Sequence, residues 1–236
     1  MPATIATYDL MHGKAIAITG GFGVLGRAVA AAALDAGARV VAIDRAPRPA
    51  SVDGGVIQIG GVDLADLAAA VAAIDAARER FGRLDALINV VGGFRWQTLA
   101  EGDFRVWSDL FALNVLTVAT ACKAALPHLA ASGHGAIVNV GANAAVRAAA
   151  GMGAYAAAKS GVHRLTESLA EEWKGRVRVN AILPSILDTP ANRADMPKAD
   201  FTAWVSPAEA AAAILFLASD SASAITGALL PVTGRT

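Results

Sequence analysis

The sequence Lys14–Gly26, KAIAITGGFGVLG, decides the fold. Its opening residues KAIAIT form a short apolar run that predicts a β-strand, and the glycines after it lead into a helix predicted over Val24–Ala36. Glycine permits a tight turn and a close approach of the backbone to a pyrophosphate, and the free N–H groups at a helix N-terminus attract phosphate. An ordinary glycine-rich turn has the same local pattern, so the interpretation depends on the surrounding sequence.

Strand-like apolar runs alternate with helical segments along the rest of the chain. The other predicted strands are Arg39–Asp44, Val56–Ile59, Leu84–Val91, Ala136–Val140, Val177–Leu183 and Ala228–Val232. The other predicted helices are Leu64–Arg80, Asp103–Ala131, Ala154–Lys174 and Pro207–Ala218. This alternation is typical of βαβ units around a parallel sheet, whose strands are apolar throughout because helices cover both faces. We therefore predict one doubly wound α/β domain over residues 1–236.

Two segments fall outside this alternation. Residues 1–12 precede the first strand, and we interpret them as an N-terminal extension. The segment Pro184–Trp204 carries three prolines and follows the end of a strand, which is where ligands bind in such sheets. We predict that this segment is a mobile lid that covers the substrate.

An acidic residue, Asp44, ends the second predicted strand. At this position a carboxylate hydrogen-bonds the hydroxyl groups of the adenosine ribose and repels a 2′-phosphate, which favours NAD(H). The adjacent Arg45 can hold that phosphate, so NADP(H) stays an alternative. Asp63 and Leu64, after the third strand, are placed to close over the adenine, although Asp63 can equally cap the following helix.

Tyr155 and Lys159 lie four residues apart in a predicted helix and therefore share one face. Free tyrosine has a pKa of about 10, and a nearby ammonium group favours the phenolate and lowers that pKa. The pair is thus a candidate general acid/base that transfers a proton to or from the substrate during hydride transfer. Asn114 is a polar amide in an apolar helix, and we expect it either to anchor a water that relays protons to Lys159 or to serve in helix packing.

Composition and charge exclude several classes of protein. The chain has 20 Lys+Arg and 20 Asp+Glu, so it lacks the basic surplus of a nucleic-acid-binding protein. Its uninterrupted apolar stretches are shorter than the ~18 residues that span a bilayer. Cys122 is the single cysteine, and the four histidines have no metal-binding spacing. These features predict a cytoplasmic protein that acts on a small molecule, without a metal, nucleic acid or membrane.

Taken together, these motifs resemble the classical short-chain dehydrogenase/reductase family from Lys14 to the C-terminus. The resemblance implies a seven-stranded, mainly parallel Rossmann-type sheet with helices on both faces, and a catalytic tyrosine–lysine pair. It also implies a homodimer or homotetramer, usually assembled through the fourth and fifth helices. The residues predicted to contact the dinucleotide are Gly20, Phe22, Gly23, Val24, Leu25, Asp44, Arg45, Asp63, Leu64, Val91, Gly92, Gly93, Tyr155, Lys159, Pro184, Leu187 and Thr189.

The sequence departs from the family pattern at three places. Val24 stands where the family has a glycine, and the family's Asn-Asn-Ala-Gly after the fourth strand reads NVVG at residues 89–92. The family's catalytic serine lies thirteen residues before the tyrosine, and that position is Ala142. No hydroxyl group is present anywhere in residues 140–145.

The third departure accompanies a narrower resemblance, to the dihydropteridine reductases. It rests on residues 141–145 (GANAA), 151–165 (GMGAYAAAKSGVHRL), 183–204 (LPSILDTPANRADMPKADFTAW) and the closing GRT. The resemblance implies reduction of quinonoid dihydropterin by NADH and contact of Thr189 with the nicotinamide carboxamide. Phe94 and Trp96 are candidates to stack on a flat heterocycle, and Asn143 is a candidate polar contact to the substrate.

Two alternatives to pterin reduction remain open on the sequence. One is a short-chain dehydrogenase that acts on a carbonyl or alcohol substrate, because loops that vary freely on one fold set substrate choice. The other is a protein that binds NAD(H) without turnover, which Ala142 favours and which the intact Tyr155 and Lys159 oppose.

Overall fold

The protein forms a parallel seven-stranded sheet with helices on both faces. The computed structural model describes residues 10–49 and 54–235. The strands are β1 (Ala15–Thr19), β2 (Arg39–Ile43), β3 (Ile57–Ile59), β4 (Ala86–Asn89), β5 (Gly135–Val140), β6 (Val177–Pro184) and β7 (Leu229–Val232). They lie in the order β3-β2-β1-β4-β5-β6-β7, and every neighbouring pair is parallel. The predicted fold class is confirmed.

The helices divide the core into one layer on each face of the sheet. They are α1 (Val24–Asp35), α2 (Leu67–Phe81), α3 (Arg105–Phe111), α4 (Thr117–Ser132), α5 (Gly153–Glu172), α6 (Pro190–Asp195) and α7 (Pro207–Ala218). Helices α1 and α7 pack together on one face, and α2 and α4 pack together on the other with part of α5. Alternate strand residues point to the two faces, which explains why the inner strands are apolar at nearly every position.

The strand order reverses between β1 and β4. From β1 the chain moves outward through β2 to β3, then returns to β4 on the opposite side. Such a reversal opens a crevice at the carboxyl ends of the strands, because successive crossovers diverge there. Gly20, after β1, and Val91, after β4, face each other across this point: a Cβ built on Gly20 would lie 2.8 Å from the Val91 Cα.

The stretch predicted as one helix over 103–131 is divided in the structure. Helices α3 and α4 are joined by a π-helical turn, Ala112–Leu116, which is centred on the buried Asn114. Residues 105–132 are long and apolar enough to cross a membrane by length and composition alone, but 56% of that apolar window is buried inside the fold. We therefore interpret this stretch as a helix that packs against the sheet.

Two other predicted boundaries are corrected. Helix α2 begins at Leu67 rather than Leu64, because the Asp66 carboxylate caps it by accepting from the Ala69 N–H. Of the proposed N-terminal extension, residues 1–9 lie outside the described part of the chain, whereas Met11 is fully buried in the core. The packed structure therefore includes the last residues of that segment.

Candidate active site

The turn from β1 into the first residues of α1 is packed so tightly that side chains are excluded at Gly20, Gly21 and Gly26. A Cβ on Gly21 would lie 2.6 Å from the Ala42 Cβ, and one on Gly26 would lie 2.3 Å from the Gly20 carbonyl oxygen. A Cβ on Gly23 would meet its nearest atom at 3.4 Å, which is an ordinary contact. Val24, at the family's glycine position, is exposed at the start of α1. The altered glycine pattern is therefore accommodated without loss of the tight turn.

We expect Gly26→Ala to lower the free energy of unfolding by about 1–3 kcal/mol, since the new methyl group would collide with backbone atoms that cannot rotate away. Gly153→Ala is the matched control, because it also lies in the first turn of a helix and its Cβ would lie 3.5 Å from Trp107. The control should be unchanged or more stable by up to about 1 kcal/mol. Urea unfolding measures both, and equal effects would contradict the described packing of the loop.

Asp44 lies where the crevice would receive an adenosine ribose. Its two carboxylate oxygens accept from the Phe22 N–H and the Ala46 N–H, each at 3.0 Å. These bonds fix the carboxylate beside the glycine-rich loop and leave each oxygen further lone pairs for ribose hydroxyl groups. Together with the side-chain-free cradle at Gly20, Gly21 and Gly26, this arrangement fits a dinucleotide.

The other residues predicted at the adenine end show no arrangement that is specific to a ligand. The Asp63 carboxylate accepts from the Ala65 N–H in a local turn, and Leu64 is buried. Arg45 is exposed beside Asp44. The alternative in which Asp63 caps α2 is wrong, because Asp66 is the cap.

Tyr155 and Lys159 both lie in the first half of α5, on the face that meets the crevice. Lys159 is 4% exposed, and its Nζ donates to the carbonyl oxygen of Val140 at 2.8 Å. Burial lowers the pKa of Lys159 to about 8. Burial raises the pKa of Tyr155 to about 12. The expected lowering of the tyrosine pKa is therefore wrong for the protein without its ligands, because desolvation of the buried phenol is the cause that acts on it.

Asn114 joins the π-helical turn to the loop after β4. Its side-chain amide donates to the carbonyl oxygens of Gly93 (3.1 Å) and Leu110 (3.0 Å), and its Oδ1 accepts from the Gly93 N–H at 3.1 Å. A Cβ on Gly92 would lie 2.6 Å from the Asn114 Oδ1 and 3.0 Å from the Lys159 Nζ. The side chain is thus occupied by backbone partners, which supports the packing alternative for it and places Gly92 directly against the lysine.

The loop after β5 carries Ala142 in place of the family's serine. Ala142 is 4% exposed, and its N–H donates to the Nε2 of His163 at 3.3 Å. His163 is itself buried, and burial, with smaller effects of Arg164 and Lys159, lowers its pKa to about 4. It therefore remains neutral and holds the loop by one hydrogen bond, which agrees with the packing role that its sequence position favours.

The aromatic residues border the opening above Tyr155. The Phe94 ring meets the Tyr155 ring edge-on, with centroids 4.9 Å apart. The Trp96 Nε1 donates to the Ala150 carbonyl oxygen at 3.0 Å, and its indole lies against Gly151, whose Cβ would come within 2.1 Å of the ring. More than half of each of these two aromatic side chains is exposed, so both present ring surface at the opening.

The segment after β6 carries secondary structure and internal hydrogen bonds of its own. It contains the short helix α6, which the Thr189 side chain caps by accepting from the Asn192 N–H. Asp188 and Arg193 pair with each other, with an Arg193 Nη2 to Asp188 Oδ2 distance of 2.7 Å. Pro184 ends β6, and Leu187 forms an isolated bridge with Val205.

The fold and the site together define an oxidoreductase of the dinucleotide-binding α/β class. The sequence profile of the short chain dehydrogenase family matches residues 14–200, and the chain belongs to this family, whose members use nicotinamide cofactors.

Among residues 10–49 and 54–235, no group of three or more His, Cys, Asp or Glu side chains could hold a metal ion.

Three known proteins illustrate this relationship. D-threitol dehydrogenase of Mycolicibacterium smegmatis is 35% identical over 243 aligned positions, which cover 95% of this chain and 93% of that protein. The ligand-free aldohexose dehydrogenase of Thermoplasma acidophilum superimposes with a TM-score of 0.88 at 26% identity, covering 97% and 95% of the two chains. Carveol dehydrogenase of Mycobacterium avium in complex with NAD superimposes with a TM-score of 0.84 at 28% identity, covering 96% of this chain and 98% of that chain. These similarities support the family and not the narrower likeness to dihydropteridine reductases.

Proposed function

We propose that this protein is an NADH-dependent reductase of a planar, conjugated imine-type substrate, of which quinonoid dihydropterin is the representative. The observation that carries the proposal is Ala142, a buried methyl group at the position where the family has a serine hydroxyl. In carbonyl reduction a hydroxyl group there helps to bind the developing oxyanion. A conjugated C=N acceptor takes up its proton on nitrogen, so it needs this donor less.

The chemistry divides between the cofactor and the residues of α5. Bound NADH supplies the hydride. Tyr155, whose pKa burial raises to about 12, stays protonated at neutral pH and donates its proton to the substrate nitrogen. Lys159, protonated below pH of about 8, stabilises the phenolate that remains.

Preference for NADH over NADPH is supported by the carboxylate of Asp44. The Phe22 and Ala46 amides fix it beside the predicted ribose position, where a negative charge repels a 2′-phosphate. The exposed Arg45 beside it favours NADPH. We assign the substrate contacts to Phe94, Trp96 and Asn143, because the first two present exposed rings and the third lies in the loop that carries Ala142.

A second candidate function is the oxidation of a secondary alcohol or polyol. It is supported by the similarity to D-threitol dehydrogenase, which covers 95% of this chain. The missing serine hydroxyl argues against it. Tyr155 and Lys159 serve both reactions, so they do not separate the two candidates.

We also propose that the protein assembles as a homodimer or homotetramer through α4 and α5. A mainly apolar groove runs between these helices. Its lining includes Cys122, Leu126, Leu165, Leu169 and Trp173, together with the charged residues Lys123 and Glu172. Its apolar surface would be buried in such an assembly, as exposed apolar patches of this kind usually are.

The two candidate functions are separated by Ala142→Ser. We expect the wild type to reduce quinonoid dihydropterin faster than it reduces ketones or oxidises polyols. Restoring the hydroxyl group should raise kcat/KM for ketones and secondary alcohols by about tenfold or more, without raising it for the dihydropterin. The measurement is the initial rate of NADH oxidation, or of NAD reduction, with each substrate.

Ala144→Ser is the matched control for this comparison, since it adds a hydroxyl group two residues further along the same loop. It should leave the ratio of the two activities unchanged. Wild-type activity that is already higher with polyols than with the dihydropterin would sink the imine-reductase proposal and favour the second candidate.

A further inference from the structure

We propose that the C-terminal residues Gly234 and Arg235 form a clamp that sets the affinity for the substrate. The clamp fixes the position of residues 185–204, the part of the predicted lid Pro184–Trp204 that follows β6 and is called the lid from here on. The inference rests on the proposed function only in taking this lid to cover the substrate. The lid leaves the sheet after β6 and returns to it before α7. The chain segment that follows β7 contacts both of these ends.

The first end of the lid is bound to the C-terminal segment at Ser185. The Ser185 N–H donates to the carbonyl oxygen of Val232 at 3.1 Å. Its hydroxyl group donates to the carbonyl oxygen of Thr233 at 2.9 Å. The pairing of β6 with β7 thus continues by one residue into the lid, which fixes the direction in which the lid departs.

The second end of the lid is bound at Ala203. The Arg235 N–H donates to the carbonyl oxygen of Ala203 at 3.0 Å. Gly234 makes this approach possible, because its φ is +66° and a Cβ on it would lie 2.8 Å from the same oxygen. Both the backbone conformation and the close contact therefore exclude other residues at position 234.

The Arg235 side chain adds a link to the helix that follows the lid. Its Nη2 lies 2.7 Å from the Glu209 Oε1, while the Glu209 Oε2 accepts from the Ser206 N–H at 2.9 Å in the capping box of α7. One carboxylate thus connects the C-terminal segment to Ser206, two residues beyond the lid. An exposed ion pair alone contributes little, so the backbone contacts of Gly234 carry the greater part of the clamp.

The two ends of the lid are also bonded to each other. The Val205 N–H donates to the Ile186 carbonyl oxygen at 3.0 Å, and the Asp188 N–H donates to the Val205 carbonyl oxygen at 2.8 Å. The lid is therefore a loop closed at its base, with the C-terminal segment seated across that base. A displacement of Gly234 would move both ends together, whereas residues of the glycine-rich loop and of α5 would stay in place.

The decisive variant is Gly234→Ala, with Gly175→Ala as its control. Gly175 has a similar φ of +76°, but a Cβ on it would meet nothing within 4 Å. Both variants carry the same backbone penalty, and only Gly234→Ala adds the collision with Ala203. We expect Gly234→Ala to raise the KM for quinonoid dihydropterin by about tenfold, as one ordinary steric clash acting on the lid would, while kcat changes less than about twofold.

Tryptic cleavage after the exposed Lys198, measured with NADH present, reports on the lid without needing any substrate. It should be faster in Gly234→Ala than in Gly175→Ala by about tenfold. Arg235→Ala keeps the backbone contacts and should raise the cleavage rate by a smaller factor. It replaces Gly234→Ala as the test if that variant does not fold. Equal cleavage rates in the glycine pair would overturn the clamp, even if the wild type shows no dihydropterin turnover and the proposed function has failed.

Discussion

Replacing Tyr155 by phenylalanine is expected to lower kcat by about 10²- to 10⁴-fold, the range usually lost when a positioned general acid is removed. The phenyl ring keeps the edge-on contact with Phe94, whose centroid lies 4.9 Å away, so the variant removes only the proton donor. The dissociation constant of NADH should change little. Initial rates of NADH oxidation at saturating acceptor, together with NADH fluorescence titrations, measure the two quantities.

Phe94→Leu is a useful companion to this variant. It disturbs the same ring pair without removing the hydroxyl group, so it should affect KM more than kcat. A Tyr155→Phe enzyme that keeps more than about a tenth of the wild-type kcat would exclude Tyr155 as the proton donor in the rate-limiting step.

Lys159→Met should cause the second large loss of kcat, of at least about 10²-fold, because the phenolate of Tyr155 then lacks its neighbouring positive charge. The pH profile of the wild type provides a separate test. Because burial lowers the pKa of Lys159 to about 8, the ammonium form is lost as the pH rises through that value. We therefore expect kcat to fall above pH of about 8 in the wild type, and this descending limb to be absent from the residual activity of the variant.

The same group links pH to stability. The unfolded chain holds the Lys159 proton up to its ordinary pKa of 10.5, whereas the folded protein releases it at about 8. Between these values the unfolded state binds more protons, so this lysine destabilises the protein below pH 8 and ceases to do so as the pH rises to 10.5. Lys159→Met should thus be more stable than the wild type at pH 7, although it is far less active. A variant that is both unstable and inactive would show that Lys159 is chiefly structural.

Local sequence signals predicted the elements that depend on neighbouring residues. Helix α7 lies at Pro207–Ala218, as the sequence predicts, and it begins at a capping box of Ser206 and Glu209 with Pro207 in its first turn. The start of α2 was misplaced, since Asp63 and Asp66 are both suitable caps and only the observed bond from Ala69 to Asp66 distinguishes them.

Features of the site that depend on tertiary contacts could not be predicted from the sequence. The π-helical turn at Asn114 arises where that side chain bonds to Gly93 in a loop twenty-one residues earlier. The bond from Ala142 to His163 likewise joins a strand end to a helix. The rise in the Tyr155 pKa comes from burial, which no i to i+4 spacing encodes.

The central claim is that this chain transfers hydride from NADH to an imine-type acceptor, with Tyr155 as the proton donor. The most direct measurement is NADH consumption with freshly generated quinonoid dihydropterin, compared with NADPH and with the Tyr155→Phe variant. We predict turnover with NADH that exceeds turnover with NADPH and collapses in the variant. Tight NADH binding without any dihydropterin turnover would contradict the claim, and would leave an alcohol dehydrogenase or a protein that only binds the cofactor.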